Sequence, residues 1–341
     1  MKSKNISIKH IAEQLGISIS TVSRALHDAY DVSPETRKKV LALAEELDYQ
    51  PNPYAVSLVK HSTNIIGVLL PEIATHYFST VVKGIQDVAY NCGYNVMFFI
   101  SSESLEREKA ILKQLNINTL DGLLVSVSSE TNTSEHFMKL INKGLPLVFF
   151  DRVLPDVPTS KVIQDDYQGA FNTTEHLIQQ GYKRIAHLGG PKNLEVSRLR
   201  AQGYLDALEK HGQVILNKKY VVYSGVSQED GVRDVSKLLG LKPLPDAIFC
   251  FNDRKAIGAM LALKRYGYRI PRDIGLAGFM NAPTSEVVEP SLTTVEQAAY
   301  EIGAKSCLLL LEHIKNPDRA PETIMMPSKL IIRESSLRTK M

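Results

Sequence analysis

The chain has 341 residues, a formal net charge of +3, and 44% hydrophobic against 23% charged residues. At roughly 150 residues per domain that length fits about two domains, each able to bury a core. Near-neutrality over the whole chain excludes a uniformly basic nucleic-acid coat, but it leaves room for a small basic region diluted by a larger balanced one.

The first sixty residues carry short helical patterns and no strand-like run. Ser7 opens a segment with Ile8, Ile11, Ala12 and Leu15 on one face, and Gly16 breaks it. Ser18 opens a second, with Val22, Ala25 and Leu26 on one face. Both serines suit the N-cap, whose hydroxyl accepts from an otherwise unpaired backbone N–H. Two short helices joined by a tight Gly-containing turn form a helix-turn-helix. A third helix follows from Ser33-Pro34-Glu35, with Val40, Leu41, Ala44 and Leu47 as its apolar face; proline at the first position and an acidic first turn are helix-start chemistry. Many small helical bundles share this pattern. The outward face of the second helix is less ordinary: Ile19, Ser20, Thr21, Ser23 and Arg24 are small or hydrogen-bonding, with one guanidinium and neither Lys nor Glu. Short hydroxyls suit close phosphate and base-edge contacts, and arginine can fork onto guanine. Residues 1–27 hold Lys2, Lys4, Lys9 and Arg24 against Glu13 alone, so the segment is locally basic.

Tyr49-Gln50-Pro51-Asn52-Pro53 ends this region, since proline disfavours helix in the residue before it and lacks an N–H. Pro53–Lys60 reads as a short helix that is marginal without a partner. From Asn64 onward, apolar runs alternate with helix-period segments. The runs are Ile65–Leu70, Val96–Ile100, Gly122–Val127, Leu145–Phe150, Arg184–Leu188, Ala247–Phe251 and Ile274–Ala277. Helices are expected at about 78–91, 105–116, 167–180, 195–211, 228–239 and 254–266. Buried parallel strands joined by crossover helices give an α/β architecture, and two doubly wound sheets fit better than one very wide one. Cys92, Cys250 and Cys307 are widely spaced, which argues against disulfides or zinc and for buried thiols in a reducing cytosol. The longest apolar runs fall well short of the roughly 20 residues of a membrane helix, and Met1–Asn5 leads into an amphipathic segment without a signal h-region. A cytoplasmic protein without a membrane partner is expected. No G-x-S-x-G, Walker A, H-E-x-x-H or G-x-G-x-x-G motif occurs, and adjacent Asp165-Asp166, placed along a strand, would point to opposite faces; neither an enzyme nor a bound cofactor is expected.

The run from Ile8 to Ser18 (IKHIAEQLGIS) and that from Ser20 to Leu26 (STVSRAL) resemble the headpiece of the LacI/GalR transcriptional repressors. Val32–Arg37 (VSPETR), Leu47–Asn52 (LDYQPN) and Ala55–Leu58 (AVSL) continue the match in order and spacing, and the remainder resembles the family's periplasmic-binding-protein-like core of two Rossmann-like lobes. The resemblance implies a helix-turn-helix headpiece over residues 1–50, a hinge helix over 51–62 and an effector-binding, dimerising core over 63–341. The N-lobe would take about 63–164 and 296–323, the C-lobe about 165–295 and 324–341. It implies a homodimer on pseudo-palindromic double-stranded operator DNA, with Ile19, Ser20 and Arg24 on base edges and Thr21, Ser23, Thr36 and Asn52 on phosphates. Ser18 and Ala55 fall at DNA-facing positions, and Leu58 would wedge into the minor groove or serve as a plain dimer contact. Tyr54 departs from the small aliphatic usual at its position. The absence of a leucine-heptad extension after Arg338 favours a dimer over a tetramer.

Ligands in open α/β sheets bind beyond the carboxyl ends of strands, so strand-end polar residues are the candidates for a small, sugar-like effector. They are Tyr77, Phe78, Asp151, Arg152, Asp165, Arg200, Asn252 and Asp253; of these, Arg200 matches the family's effector-clamping arginine, and Tyr77, Asp151 and Asn252 match effector-facing positions. Asn252 or Asp253 could instead cap a following helix, and Asp151 could pair with Arg152. Met280 stands where sugar- and purine-binding relatives usually carry an acceptor Asp, and Val226 roughly where many stack an aromatic ring. Alternatives are a phosphocarrier protein as main co-effector, as in some relatives, and a solute-binding protein without a transcriptional role.

Overall fold

The computed structural model describes residues 7–26, 31–49, 62–212 and 218–338. The chain divides into two compact units, residues 1–63 and 64–341.

The first unit holds three helices, α1 (Ile8–Leu15), α2 (Ile19–Leu26) and α3 (Pro34–Glu46). His10 Nδ1 accepts the Ser7 N–H at 3.1 Å, and Gly16 ends α1 in the left-handed region at φ 63°. Ser18 Oγ accepts from Thr21 N–H at 3.1 Å, and Ser33 Oγ from Thr36 N–H at 3.2 Å. Ile11, Ala12, Val22, Ala25, Val40 and Ala44 close the core. The phase of α3 differs from expectation at one leucine: Leu43 packs on that core while Leu41 is 44% exposed. Asn52, Ala55 and Leu58, and with them the expected hinge helix, lie outside the described residues.

The second unit begins with β1 (Ile65–Leu70), α4 (His76–Asn91), β2 (Asn95–Ile100), α5 (Leu105–Gln114), β3 (Gly122–Val125), α6 (Glu135–Ile141), β4 (Leu147–Phe150) and β5 (Ser160–Gln164). It continues through α7 (Asp166–Gln179), β6 (Ile185–Gly189), α8 (Glu195–Lys210), β7 (Val221–Tyr223), α9 (Gln228–Leu239), β8 (Ala247–Cys250), α10 (Asp253–Arg265) and β9 (Gly275–Ala277). Then come α11 (Thr284–Val287), β10 (Thr294–Glu296), α12 (Ala299–Lys315), β11 (Thr323–Met326) and β12 (Lys329–Ile331).

Two parallel sheets result, ordered β11-β5-β4-β3-β1-β2 and β7-β6-β8-β9, with β10 and β12 forming a small antiparallel pair. Both faces of each sheet are covered, which is why the strands read as unbroken apolar runs. In the N-lobe, Ile66, Val68 and Leu70 pack with Phe78, Val81, Ile302 and Leu310, while Leu69, Leu123 and Val125 pack with Leu112, Phe137 and Leu140. Leu188, Ile248, Leu238 and Leu263 make one C-lobe core; Ile185, Phe249, Leu177 and Tyr204 make the other.

The chain passes between lobes after β5, after β10 and after β11. Thr323–Met326 pairs in parallel with Lys161–Gln164, so the last passage falls beyond Met326 and not at the expected 323/324 boundary. Helix α12 has no counterpart among the expected helices. Cys250 and Cys307 are buried as expected, but Cys92, which caps the C-terminus of α4, is exposed. The Asp165-Asp166 pair sits at a helix start and not along a strand. Among the described residues, no helix is long and apolar enough to cross a membrane.

Helices α4 and α12 approach closely because each presents glycine to the other. A Cβ on Gly303 would fall 2.0 Å from the Val81 carbonyl oxygen, and one on Gly84 would fall 2.2 Å from that of Tyr300. Backbone cannot move aside as a flexible side chain can. Gly303→Ala is expected to destabilise the core by about 1–3 kcal/mol, as overpacking does, read as a lower denaturant midpoint. An unchanged midpoint would show that the two helices can part at no cost.

Candidate functional site

Two faces of the molecule carry candidate functional residues, and each lies within one unit. On the first unit, the exposed side of α2 presents Ser20 and Arg24 to solvent, with Thr21 and Ser23 partly buried beside them. Ile19, a large apolar side chain, is 45% exposed there. Ser18 Oγ lies 2.7 Å from Ser20 Oγ and 2.8 Å from Thr21 Oγ1, a cluster of hydroxyls at the helix N-terminus where anions are favoured. Thr36 lies in the first turn of α3, where its Oγ1 accepts from Ser33 Oγ at 2.9 Å. Arg24 pairs with Asp31 at 2.8 Å, both side chains being well exposed. Exposed pairs of this kind are worth little and exchange readily.

In the second unit, a cleft of about 590 Å³ opens between the lobes, and it brings together Tyr77, Phe78, Asp151, Arg200, Asn252, Asp253 and Met280, but not Asp165, a further strand-end candidate. They come from both lobes, in the loops and helices that follow strands. Val226 lines the cleft too, as do residues that sequence reading did not single out, including Glu72, His76, Val196, Phe251, Arg254 and Thr284.

Arg200 is deeply enclosed, at 2% exposure. Its Nε donates to Asp166 Oδ1 at 2.7 Å, its Nη2 reaches the same oxygen at 2.6 Å, and its Nη1 donates to the Phe251 carbonyl at 2.5 Å. The guanidinium lies 3.7 Å from the Phe279 ring centroid and 4.5 Å from that of Phe251. Arg200 is thus already braced by a carboxylate and two rings, a preorganised wall and not a loose clamp. Asp166, invisible as a partner in the sequence, is buried with it. Asp165 next door turns away and caps α7, accepting the Gln168 N–H at 3.0 Å.

Asp151 accepts the Tyr77 hydroxyl at 2.8 Å, with its other oxygen 4.0 Å from Arg152 Nε. The expected Asp151–Arg152 pair is therefore secondary, and Arg152 instead donates to both oxygens of Glu103, at 2.9 and 2.8 Å. Burial raises the Asp151 carboxyl above its ordinary range, and burial beside that carboxylate raises the Tyr77 phenol well above its own. Asn252 does cap α10, accepting the Lys255 N–H at 2.8 Å, while its Nδ2 donates to the Val226 carbonyl at 3.0 Å and ties two cleft loops together. Asp253 Oδ2 accepts the Ala282 N–H at 2.7 Å, and its Oδ1 accepts from Thr294 Oγ1 at 2.5 Å.

A small helix-turn-helix unit followed by a two-lobed α/β unit with a central cleft is the layout of a ligand-responsive DNA-binding regulator. Residues 7–52 match the family described as bacterial regulatory proteins, lacI family, and residues 63–334 match the periplasmic binding proteins and sugar binding domain of LacI family. The ribose operon repressor of Halalkalibacterium halodurans is 33% identical over 332 residues, 97% of each chain. The HTH-type transcriptional repressor CytR of Escherichia coli strain K12 is 31% identical over 330 residues, 97% of this chain and 96% of CytR. The lac repressor dimer bound to operator and the anti-inducer ONPF superposes with a TM-score of 0.85 at 27% identity, covering 98% of this chain and 100% of that one. This chain belongs to the LacI family of transcriptional regulators.

Burial pushes the Asp253 carboxyl up to about 6 from an ordinary 3.8, outweighing the hydrogen bonds from Thr294 and Ala282. A carboxyl raised on folding holds its proton better in the native state than in the unfolded chain. Its stabilising effect is therefore complete below pH 4 and is lost as pH rises through 6. Asp253→Asn is expected to flatten the dependence of the thermal midpoint between pH 4.5 and 7, part of the remaining slope coming from Asp151 and Asp166. Unfolding scans across that range check it; a wild-type slope in the variant would refute the assignment.

Proposed function

We propose that this protein represses transcription by binding a pseudo-palindromic operator as a homodimer, and that an uncharged, hydroxyl-bearing small molecule in the interlobe cleft modulates that binding. The observation that carries the effector reading is the cleft itself, which gathers Tyr77, Phe78, Asp151, Arg200, Asn252 and Asp253 with Met280 in one cavity. In the headpiece, Ile19, Ser20 and Arg24 would read base edges, with Ser18, Thr21, Ser23, Thr36 and Asn52 on phosphates. Ala55 and Leu58 would meet the minor groove. The exposed Arg24–Asp31 pair suits this role, because Arg24 can leave Asp31 for guanine at small cost. We place the protein in the cytoplasm, where operator DNA is found, and assign it no catalytic step: its relatives are named as repressors.

The charge pattern of the cleft supports an uncharged ligand. Each of its three arginines holds a carboxylate: Arg152 with Glu103, Arg200 with Asp166, and Arg254 with Glu72. A phosphate or carboxylate on the ligand would have to displace one of these. Asp151, by contrast, keeps one oxygen that only Arg152 approaches, at 4.0 Å, and it can accept from a ligand hydroxyl or N–H, while Val196 and Val226 offer an apolar surface. Met280 supplies no carboxylate from its side chain, so hydrogen bonding to a ligand at that wall falls to other groups of the cleft, Asp151 among them.

Arg24→Ala is expected to cost roughly 1–3 kcal/mol per half-site and to relax preference at one base position. A gel-shift series over substituted operators measures both, and full affinity with unchanged preference would remove Arg24 from base recognition. Calorimetry with neutral sugars and nucleosides beside their phosphate esters tests the ligand class. The neutral parent should bind at least about tenfold tighter, a difference of about 1.4 kcal/mol. A tighter ester would overturn the class while leaving the cleft as the effector site.

A further inference from the structure

Across the mouth of the cleft, one arginine is held differently from the others. Arg254, the second residue of α10 in the C-lobe, donates from Nη1 to both oxygens of Glu72, at 3.0 and 3.1 Å. Glu72 lies two residues beyond β1, in the N-lobe, so this ion pair joins the two lobes directly. A cation in the first turn of a helix faces the positive end of its dipole, and Glu72 offsets that from the opposite lobe.

Two further observations make the bridge exchangeable. Its side chains are 42% and 27% exposed, whereas the Arg200–Asp166 pair deeper in the cleft is 2% exposed on both sides. Each partner also has a second countercharge in its own lobe. Arg152 is raised chiefly by Glu103 against the burial that lowers it, and Glu72 adds to the effect. Glu229, at the start of α9, is held down first by hydrogen bonds at its helix N-terminus and then by Arg254. Each partner of the bridge therefore has a charge of opposite sign nearby in its own lobe.

We infer that Glu72 and Arg254 form a reversible latch that holds the lobes together over the cleft and sets their balance between open and closed. Its regulatory meaning rests on the cleft being the effector site; its mechanical action does not. Both residues line the cavity, so a ligand entering by this route passes between them.

The test uses the full-length protein in a Cys92→Ser background with a dye pair at Lys109→Cys on α5 and Arg265→Cys on α10, diluted with unlabelled protein. Glu72→Gln, Arg254→Gln and the double variant are compared without ligand by single-molecule energy transfer. Each single variant should shift the open-to-closed ratio by about two- to fivefold, as loss of an exposed pair does, and the double variant should shift it no further. Raising ionic strength from about 0.05 to 0.5 M should move the wild type toward the variants and leave the variants in place. Unchanged distances in the single variants, additive shifts in the double, or equal salt responses in all four would each overturn the latch. Operator affinity is measured in parallel. If the distances shift as expected and operator binding is unmoved in every variant, the latch stands and the effector reading of the cleft fails.

Discussion

The interlobe hinge depends on how one buried amide is satisfied. Three stretches of chain leave one lobe for the other, and several of their polar groups need partners outside the sheet ladders. Gln164, 1% exposed at the end of β5, ties them together. Its Nε2 donates to the Met326 and Pro327 carbonyls at 3.2 and 2.7 Å and to Ser328 Oγ at 2.9 Å, all on the third passage. Its Oε1 accepts the Ala298 N–H of the second passage at 3.1 Å. Buried polar groups demand partners, and here both ends of one side chain on the first passage supply them to the other two. The lobes are pinned at one edge, so their freedom is rotation about the hinge, and whatever happens at the opposite edge of the cleft controls it.

The cleft is charged yet internally balanced. Arg200 and Asp166 face each other in near-complete burial between aromatic rings, and breaking such a pair costs far more than its net contribution to stability. Behind the C-lobe wall, Lys255 and Asp234 repeat the arrangement at 3.0 Å, with Lys255 Nζ also donating to the Gly189 carbonyl at 2.5 Å and to Ser224 Oγ at 2.9 Å. These contacts hold the ends of β6 and the loop after β7, the same loop that carries Val226 into the cleft. The wall of the site is set before any ligand arrives, while the bridge at its mouth stays in solvent.

Much of this was legible in the sequence, for reasons that can be named. Buried parallel strands must be apolar throughout, so Ile65–Leu70 and Ala247–Cys250 announce themselves, and helix-start residues such as Ser33-Pro34 mark their boundaries. Because ligands gather at strand ends, locating strands also located Tyr77, Asp151 and Asn252. What escaped was pairing at long range and orientation at close range. Nothing local links Arg200 to Asp166, thirty-four positions away, or Glu72 to Arg254. Whether Asp165 or Asp166 meets the arginine turns on where α7 begins, a matter of one residue. Leu41 and Leu43 exchange places on the same logic of helix phase. Strand β11 is short and half exposed at an edge, so it lacked the apolar run that would have placed the last passage correctly.

The backbone beneath the cleft also carries a signature. Asp151 stands at φ 57°, Met280 at φ 117° and Asn281 at φ 49°, all in the territory that glycine enters freely and side chains rarely do. Aspartate and asparagine tolerate the left-handed region; methionine at φ 117° does not, and must be held there by its surroundings, among them the hydrogen bond from its N–H to the Val295 carbonyl at 2.7 Å. Anyone recasting this cleft for another ligand therefore inherits two positions with unequal latitude. At 151 the backbone itself restricts the alphabet to Asp, Asn and Gly. At 280 the strain is already present, so a smaller or more permissive residue would relieve it, and the specificity of the pocket could drift there at little cost to the fold.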